Sequence, residues 1–177
     1  MDRRKAEAGA EVTSGKTTRD SGVSVSAGRA FQDLGSVSHC HGCGPDNERG
    51  LQIKSYWDGD EAVCNWQPQS HHCGGSKAFV TGGIIATLID CYSLNLAIAH
   101  AYKSEGRPIG SIPKLGYVTA GLNVSYLQPT PIVETLKLRA KIAKVQGRKT
   151  WVRCTLGAAG ELCATGEVLG IRVERDK

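Results

Sequence analysis

The chain has 177 residues, 40% of them apolar and 22% charged, with a formal charge of +5 at pH 7. That size and make-up fit one soluble domain with a hydrophobic core of its own. Six basic and four acidic residues fall within the first thirty, so the remainder is only slightly basic, which argues against a nucleic-acid surface.

In chain order, residues 1–35 hold mostly Gly, Ser, Thr, Ala and charge, too little apolar surface to offset the entropy of ordering them. They are predicted to form a disordered basic arm, with a single domain over 36–177. Arg3-Arg4 has no apolar stretch after it, so no secretory signal is read there and the chain is expected in the cytoplasm. A turn-rich segment around Cys40-His41-Gly42-Cys43-Gly44-Pro45 follows. Two strand-like runs, Leu51 to Trp57 and Ala62 to Gln67, flank Asp58-Gly59-Asp60, a strong hairpin turn. A Gly-rich loop, Ser70 to Ser76, then leads into the longest apolar run.

That run predicts a helix from about Ile84 to Lys103, with apolar residues at 84, 85, 88, 89, 92, 96 and 99 in helical spacing and enough others to need protein on all sides. Asp90, Ser93 and Asn95 interrupt it, which favours a buried helix over a membrane span. Asp90 is the informative residue. Burying a carboxylate ionised and unpaired costs several kcal/mol, so it is either paired and hydrogen-bonded for chemistry or sits at the wet end of a core helix. Beyond the helix the period becomes two. Val118, Ala120, Leu122, Val124 and Tyr126 alternate with Thr119, Gly121, Asn123 and Ser125, placing Thr119 on the side away from the helix. Further strands are predicted at Leu136 to Ile142, Thr150 to Gly157 and Leu162 to Val173. The order gives an α+β domain, an antiparallel sheet of five or six strands wrapped around one long central helix.

Seven cysteines, scattered and odd in number, read as reduced thiols, with Cys64, Cys91, Cys154 and Cys163 as small core residues. Cys40-x-x-Cys43 has zinc-knuckle spacing, and His39, His41, His71, His72 and Cys73 are ligand types. No second well-spaced pair accompanies them, so no metal site is predicted and Cys43-Gly44-Pro45 reads as a tight turn.

Four segments in this order resemble the hot-dog thioesterase superfamily, in particular acyl-coenzyme A thioesterases of the phenylacetic-acid-pathway type. They are the Cys40-to-Leu51 segment, Thr81-Gly82-Gly83 followed by six residues and Asp90, the strand Val118 to Pro129, and the openings Gly147-Arg148 and Gly160 to Gly166. The resemblance covers about residues 40–173. It implies a hydrolase in which Asp90 is the base or a direct nucleophile, the backbone N–H groups of Gly82 and Gly83 stabilise the oxyanion, and the Thr119 hydroxyl holds the water that serves Asp90 of a neighbouring subunit. Thr81 stands where the family carries His, and His72 in the loop upstream is a candidate substitute. Thr81, His72, Asn123, Arg148 and Lys149 are the implied substrate-binding residues. The implied partner is a small or medium acyl-coenzyme A, with no cofactor, nucleic acid or membrane, and the implied assembly is a homodimer or homotetramer. Two other readings stay open, a non-catalytic acyl-coenzyme A binder and a zinc-stabilised interaction module.

Overall fold

The computed structural model describes residues 28–35 and 39–174. Its centre is the predicted helix, α2, spanning Gly82–Ser104. Leu88, Ile89, Tyr92 and Leu96 are fully buried against a six-stranded antiparallel sheet. The strands are β1 (Tyr56–Asp58), β2 (Glu61–Trp66), β3 (Leu115–Tyr126), β4 (Leu136–Gln146), β5 (Lys149–Ala158) and β6 (Glu161–Glu174), in the spatial order β1-β2-β4-β5-β6-β3. Polar anchors also cross the interface, among them the Tyr92 hydroxyl, which donates to the Leu138 carbonyl at 3.2 Å. Glycines on the inner face of β6 let the helix come close. A Cβ at Gly166 would lie 2.4 Å from Cγ2 of Ile89, and one at Gly170 would lie 3.0 Å from both Leu94 and Tyr117.

Three details differ from the sequence-based expectations. Residues 1–27 of the expected arm lie outside the described residues, but its last part belongs to the domain. Ala30, Phe31 and Gln32 are buried, and Phe31–Leu34 forms a short helix, α1. The Gln32 amide donates to the Ser55 hydroxyl at 2.7 Å and its carbonyl accepts from the Ser55 N–H at 2.9 Å. A stretch this short shows no periodicity, which is why composition placed it in the arm. Of the first predicted strand only Tyr56 and Trp57 pair with β2, and the pairing runs on to Asp58 of the predicted turn. Leu51 and Ile53 instead donate their N–H groups to the carbonyls of His41 and Gly42, so this segment buttresses the Cys40–Cys43 turn.

The third difference decides the site. On β3 the pairing runs Thr119↔Gly170 and then Gly121↔Leu169, which leaves Ala120 as the extra residue of a β-bulge. Up to the bulge, Leu115, Tyr117 and Thr119 share the inner face with Gly170. After it, Leu122, Val124 and Tyr126 pair with Val168, Gly166 and Ala164 and take over that face. Strict alternation therefore held for the second half of β3 and was inverted for the first, and Thr119 faces the helix of its own chain.

If the glycines of β6 set the helix–sheet spacing, Gly166→Ala forces its Cβ onto the stiff, β-branched Ile89. The expected loss is about 1–3 kcal/mol in urea unfolding. An unchanged midpoint would mean that the spacing is set elsewhere.

Candidate active site

Asp90 lies in the second turn beyond the start of α2's buried stretch, half-buried, on the flank that faces β3. The Thr119 hydroxyl donates to Asp90 Oδ1 at 2.7 Å. Both residues belong to one chain, so the expectation that Thr119 serves the Asp90 of a neighbouring subunit is corrected. The bulge at Ala120 is the physical reason. One carboxyl oxygen is thereby held, and Oδ2 remains as a second acceptor.

At the helix N-terminus Thr81 is the N-cap residue but makes no side-chain cap, so Gly82 and Gly83 open the helix with N–H groups that have no intrahelical acceptor. Such donors, with the helix dipole behind them, favour developing negative charge. Tyr126 covers Gly82: its hydroxyl donates to the Gly82 carbonyl at 2.8 Å, and a Cβ on Gly82 would meet the ring at 3.3 Å. An open groove of about 340 Å³ adjoins this point, lined by Phe79, Val80, Ile85, Tyr126 and Leu127 among others. Tyr126 was legible only as an inward-facing strand residue, because its contact with Gly82 depends on how β3 packs against the start of α2.

Asp90 lies eight positions along the helix from Gly82. At a rise of about 1.5 Å per residue that is roughly 12 Å along the axis. The two groups of a single chain cannot both reach one carbonyl carbon.

The other sequence-predicted residues are dispersed. Asn123 pairs with Glu167 on the outer face of the sheet, beside Ser125 and Arg153. Arg148 forms the β4–β5 turn and Lys149 opens β5, with β6 lying between them and β3. None of the three meets Asp90 within the chain. His72 is a brace. Its Nδ1 accepts from the Gln69 N–H at 2.9 Å, its ring packs on Trp66, and its carbonyl accepts the Thr81 N–H at 2.9 Å, which fixes the loop leading into Gly82.

On the opposite flank of α2, Cys91 meets the Cys40–Cys43 turn. Cys40 Sγ and Cys91 Sγ are 3.6 Å apart, and the Asn95 amide donates to Cys43 Sγ at 3.2 Å and to the Cys91 carbonyl at 2.7 Å. Hydrogen bonding from Cys91, then from Asn95, lowers the Cys43 thiol's pKa against the opposing effect of burial. Sequence reading missed this group because an apolar run makes Cys91 look like filler. The available signal was Asn95, four residues on and so on the same helix face.

No protein-family model matches the sequence. The chain is 31% identical over 105 residues to the acyl-coenzyme A thioesterase THEM4 of Mus musculus and 32% over 108 residues to that of Rattus norvegicus. These alignments take in 59% and 60% of this chain but 40% and 41% of those proteins, so the chain spans about two fifths of the length of the curated relatives it matches. A solved structure of a thioesterase superfamily protein from Shewanella loihica is 33% identical, with a TM-score of 0.57, and covers 73% of this chain and 97% of its own. The chain belongs to the thioesterase superfamily. The PaaI protein of the E. coli phenylacetic acid degradation operon, at 15% identity, aligns over 70% of this superfamily member and 80% of its own chain with a TM-score of 0.56, a likeness of fold alone. The hot-dog architecture read from the sequence is thus the observed one.

Burial lowers the imidazole pKa of His72, helped by His71 and His41, and burial with Lys103 does the same at His100. Between the lowered folded values and the ordinary value near 6.5, the unfolded chain binds more protons than the fold. Stability from these groups is therefore complete above 6.5 and lost as pH falls through that value towards the folded ones. Denaturant unfolding should give a plateau between pH 7 and 8 and a decline from 6.5 to 5, shallower in His72→Gln. A flat profile down to pH 5 contradicts the buried, neutral assignment.

Proposed function

We propose that this chain is an acyl-coenzyme A thioesterase whose active site is shared between two copies, with Asp90 and Thr119 supplied by one and the Gly82 N–H by the other. The observation that carries the reading is the Thr119–Asp90 hydrogen bond at 2.7 Å, an oriented carboxylate on the flank of the central helix. Hydrolysis of a thioester needs a base for water and donors for the oxyanion. Asp90 Oδ2 takes a proton from water while Thr119 holds Oδ1. The hydroxide oxygen attacks the carbonyl carbon, negative charge collects on the carbonyl oxygen opposite the Gly82 and Gly83 N–H groups, and collapse breaks the C–S bond. The proton on Asp90 goes to the departing coenzyme A thiolate, leaving a carboxylic acid and a thiol.

The roughly 12 Å between Gly82 and Asp90 within a chain is what calls for a second copy. The surface for it is β3, the long edge strand of the sheet, which exposes Val118, Leu122 and Tyr126, with Leu127 just beyond. An unpaired apolar edge of this length is covered in soluble proteins, and pairing with a second β3 covers it symmetrically. The other edge, β1, has three residues and ends in Asp58. The apolar groove beside Gly82 suits a small or medium acyl group.

In a screen of short, medium and aromatic acyl-coenzyme A thioesters, Asp90→Asn should lower turnover by at least ~100-fold with the fold kept. Equal turnover would remove Asp90 from the chemistry. If the unaltered protein binds these thioesters without hydrolysing any, the non-catalytic binder is the right reading.

Subunit sharing has its own test. Gly82→Pro deletes the N–H at the first helical position, where proline is tolerated, and Thr81 already has the extended backbone (φ −66°, ψ 143°) that a following proline requires. Each variant alone should be inactive. Mixed dimers of Asp90→Asn and Gly82→Pro contain one doubly defective and one intact site, so about half of wild-type activity is expected by this count. Mixed dimers of Asp90→Asn and Thr119→Ala should show no such rescue, because Asp90 and Thr119 travel together. The reverse pattern would sink the assignment.

A further inference from the structure

Three thiols meet on the flank of α2 that faces away from β3. The Sγ atoms of Cys40, Cys43 and Cys91 all lie within 4.8 Å of one another, and Cys40 and Cys91 are 3.6 Å apart. The loop that brings them there is built closely. Gly44 N–H returns to the Cys40 carbonyl, the Gln52 amide donates to the carbonyls of Gly44 and Asn47, and Leu51 and Ile53 pin His41 and Gly42 from outside. Gly42 is the contact point, since a Cβ there would sit 2.3 Å from Cys91 Sγ. Three sulfurs are thus assembled from two chain segments fifty residues apart, with an amide donor aimed at one of them.

We propose that Cys40, Cys43 and Cys91 bind one zinc(II) ion per chain. A zinc–thiolate bond of about 2.3 Å in tetrahedral geometry places ligand sulfurs about 3.8 Å apart. The Cys40–Cys91 spacing of 3.6 Å is close to that value and no pair exceeds 4.8 Å, so the ion fits with shifts of about an ångström or less on this geometry. Binding releases three protons, one from each thiol, and forms three metal–sulfur bonds, with water in the fourth position. Thiolates select soft d10 cations. Charge selects the divalent one, because three thiolates with zinc leave one net negative charge, whereas copper(I) leaves two among cysteines that are buried or half-buried. Asn95 supports a ligand sulfur from outside, as groups behind metal ligands do. The sequence argument against a metal rested on a missing second ligand pair. Helix α2 supplies a third ligand from Cys91 instead.

The test reads metal and not activity, so it stands apart from the thioesterase reading. Reduced full-length protein is stripped with a chelator and titrated with cobalt(II), then with zinc(II). One cobalt per chain is expected, with a near-ultraviolet thiolate-to-cobalt band that zinc displaces. Zinc should also protect Cys40 and Cys91, the two half-buried members, from alkylation as read by peptide mass. Cys91→Ser and Cys40→Ser should lose the band, Asn95→Ala should weaken binding by about 10-fold, and Cys73→Ser, in the separate loop before α2, should keep it. Unaltered protein that takes up no metal at tens of micromolar overturns the proposal even if a variant fails to fold. So does uptake that survives Cys91→Ser, or a Cys40–Cys91 disulfide as the state of the protein isolated without reductant.

Discussion

A helix satisfies its own backbone but still needs somewhere to put its side chains, and α2 has almost no face it can show to water. Ile85, Leu88, Ile89, Tyr92 and Leu96 go into the sheet. The flank that the sheet does not reach is covered by the Cys40–Cys43 turn and by α1, whose Phe31 is buried. Enclosure on this scale is what makes the sheet curl around one element instead of lying flat against a layer of several. It also explains the glycines on β6. Gly166 and Gly170 remove side chains where the helix comes closest, and without that approach the β3 backbone could not bring Thr119 within hydrogen-bond distance of Asp90.

How much of this was legible follows from which signals are periodic. The helix and the four long strands announce themselves by periods of 3.6 and 2, and the structure extends them by at most a few residues at their ends. A bulge has no period. Ala120 inverts the facing of half of β3, and nothing in Val118-Thr119-Ala120-Gly121-Leu122 distinguishes it from regular alternation except a glycine after the extra residue. The same limit hid α1, four residues with two large apolar side chains, Phe31 and Leu34, and Cys91, whose role depends on a turn fifty positions away. Asp90, Gly82 and Gly83 were readable because chemistry marks them: a carboxylate in an apolar run and a glycine pair at a helix start. His72 was readable as a residue and not as a role, since the capping of Gln69 and the hold on Thr81 come from loop geometry.

Two groups sit side by side in sequence on α2 and point to different ends. Successive helical residues are rotated by about 100°, so Asp90 is aimed at β3 while Cys91 is aimed at the Cys40–Cys43 turn. Rotation of the helix about its own axis would swing both. The apolar packing around α2 resists such rotation only weakly in kind, because dispersion and burial are non-directional and a slightly turned helix still buries most of what it buried. Directional contacts are needed to fix the angle. Tyr92 to the Leu138 carbonyl is one, on the sheet side. Tyr126 to the Gly82 carbonyl is a second, and Asn95 to Cys43, together with the close seat of Gly42 on Cys91, holds the far side. Held from both flanks, Asp90 meets the Thr119 hydroxyl without having to spend that hydrogen bond on keeping the helix in place. The carboxylate is then oriented by a scaffold it does not itself maintain, which is the condition for its second oxygen to be available to a water molecule.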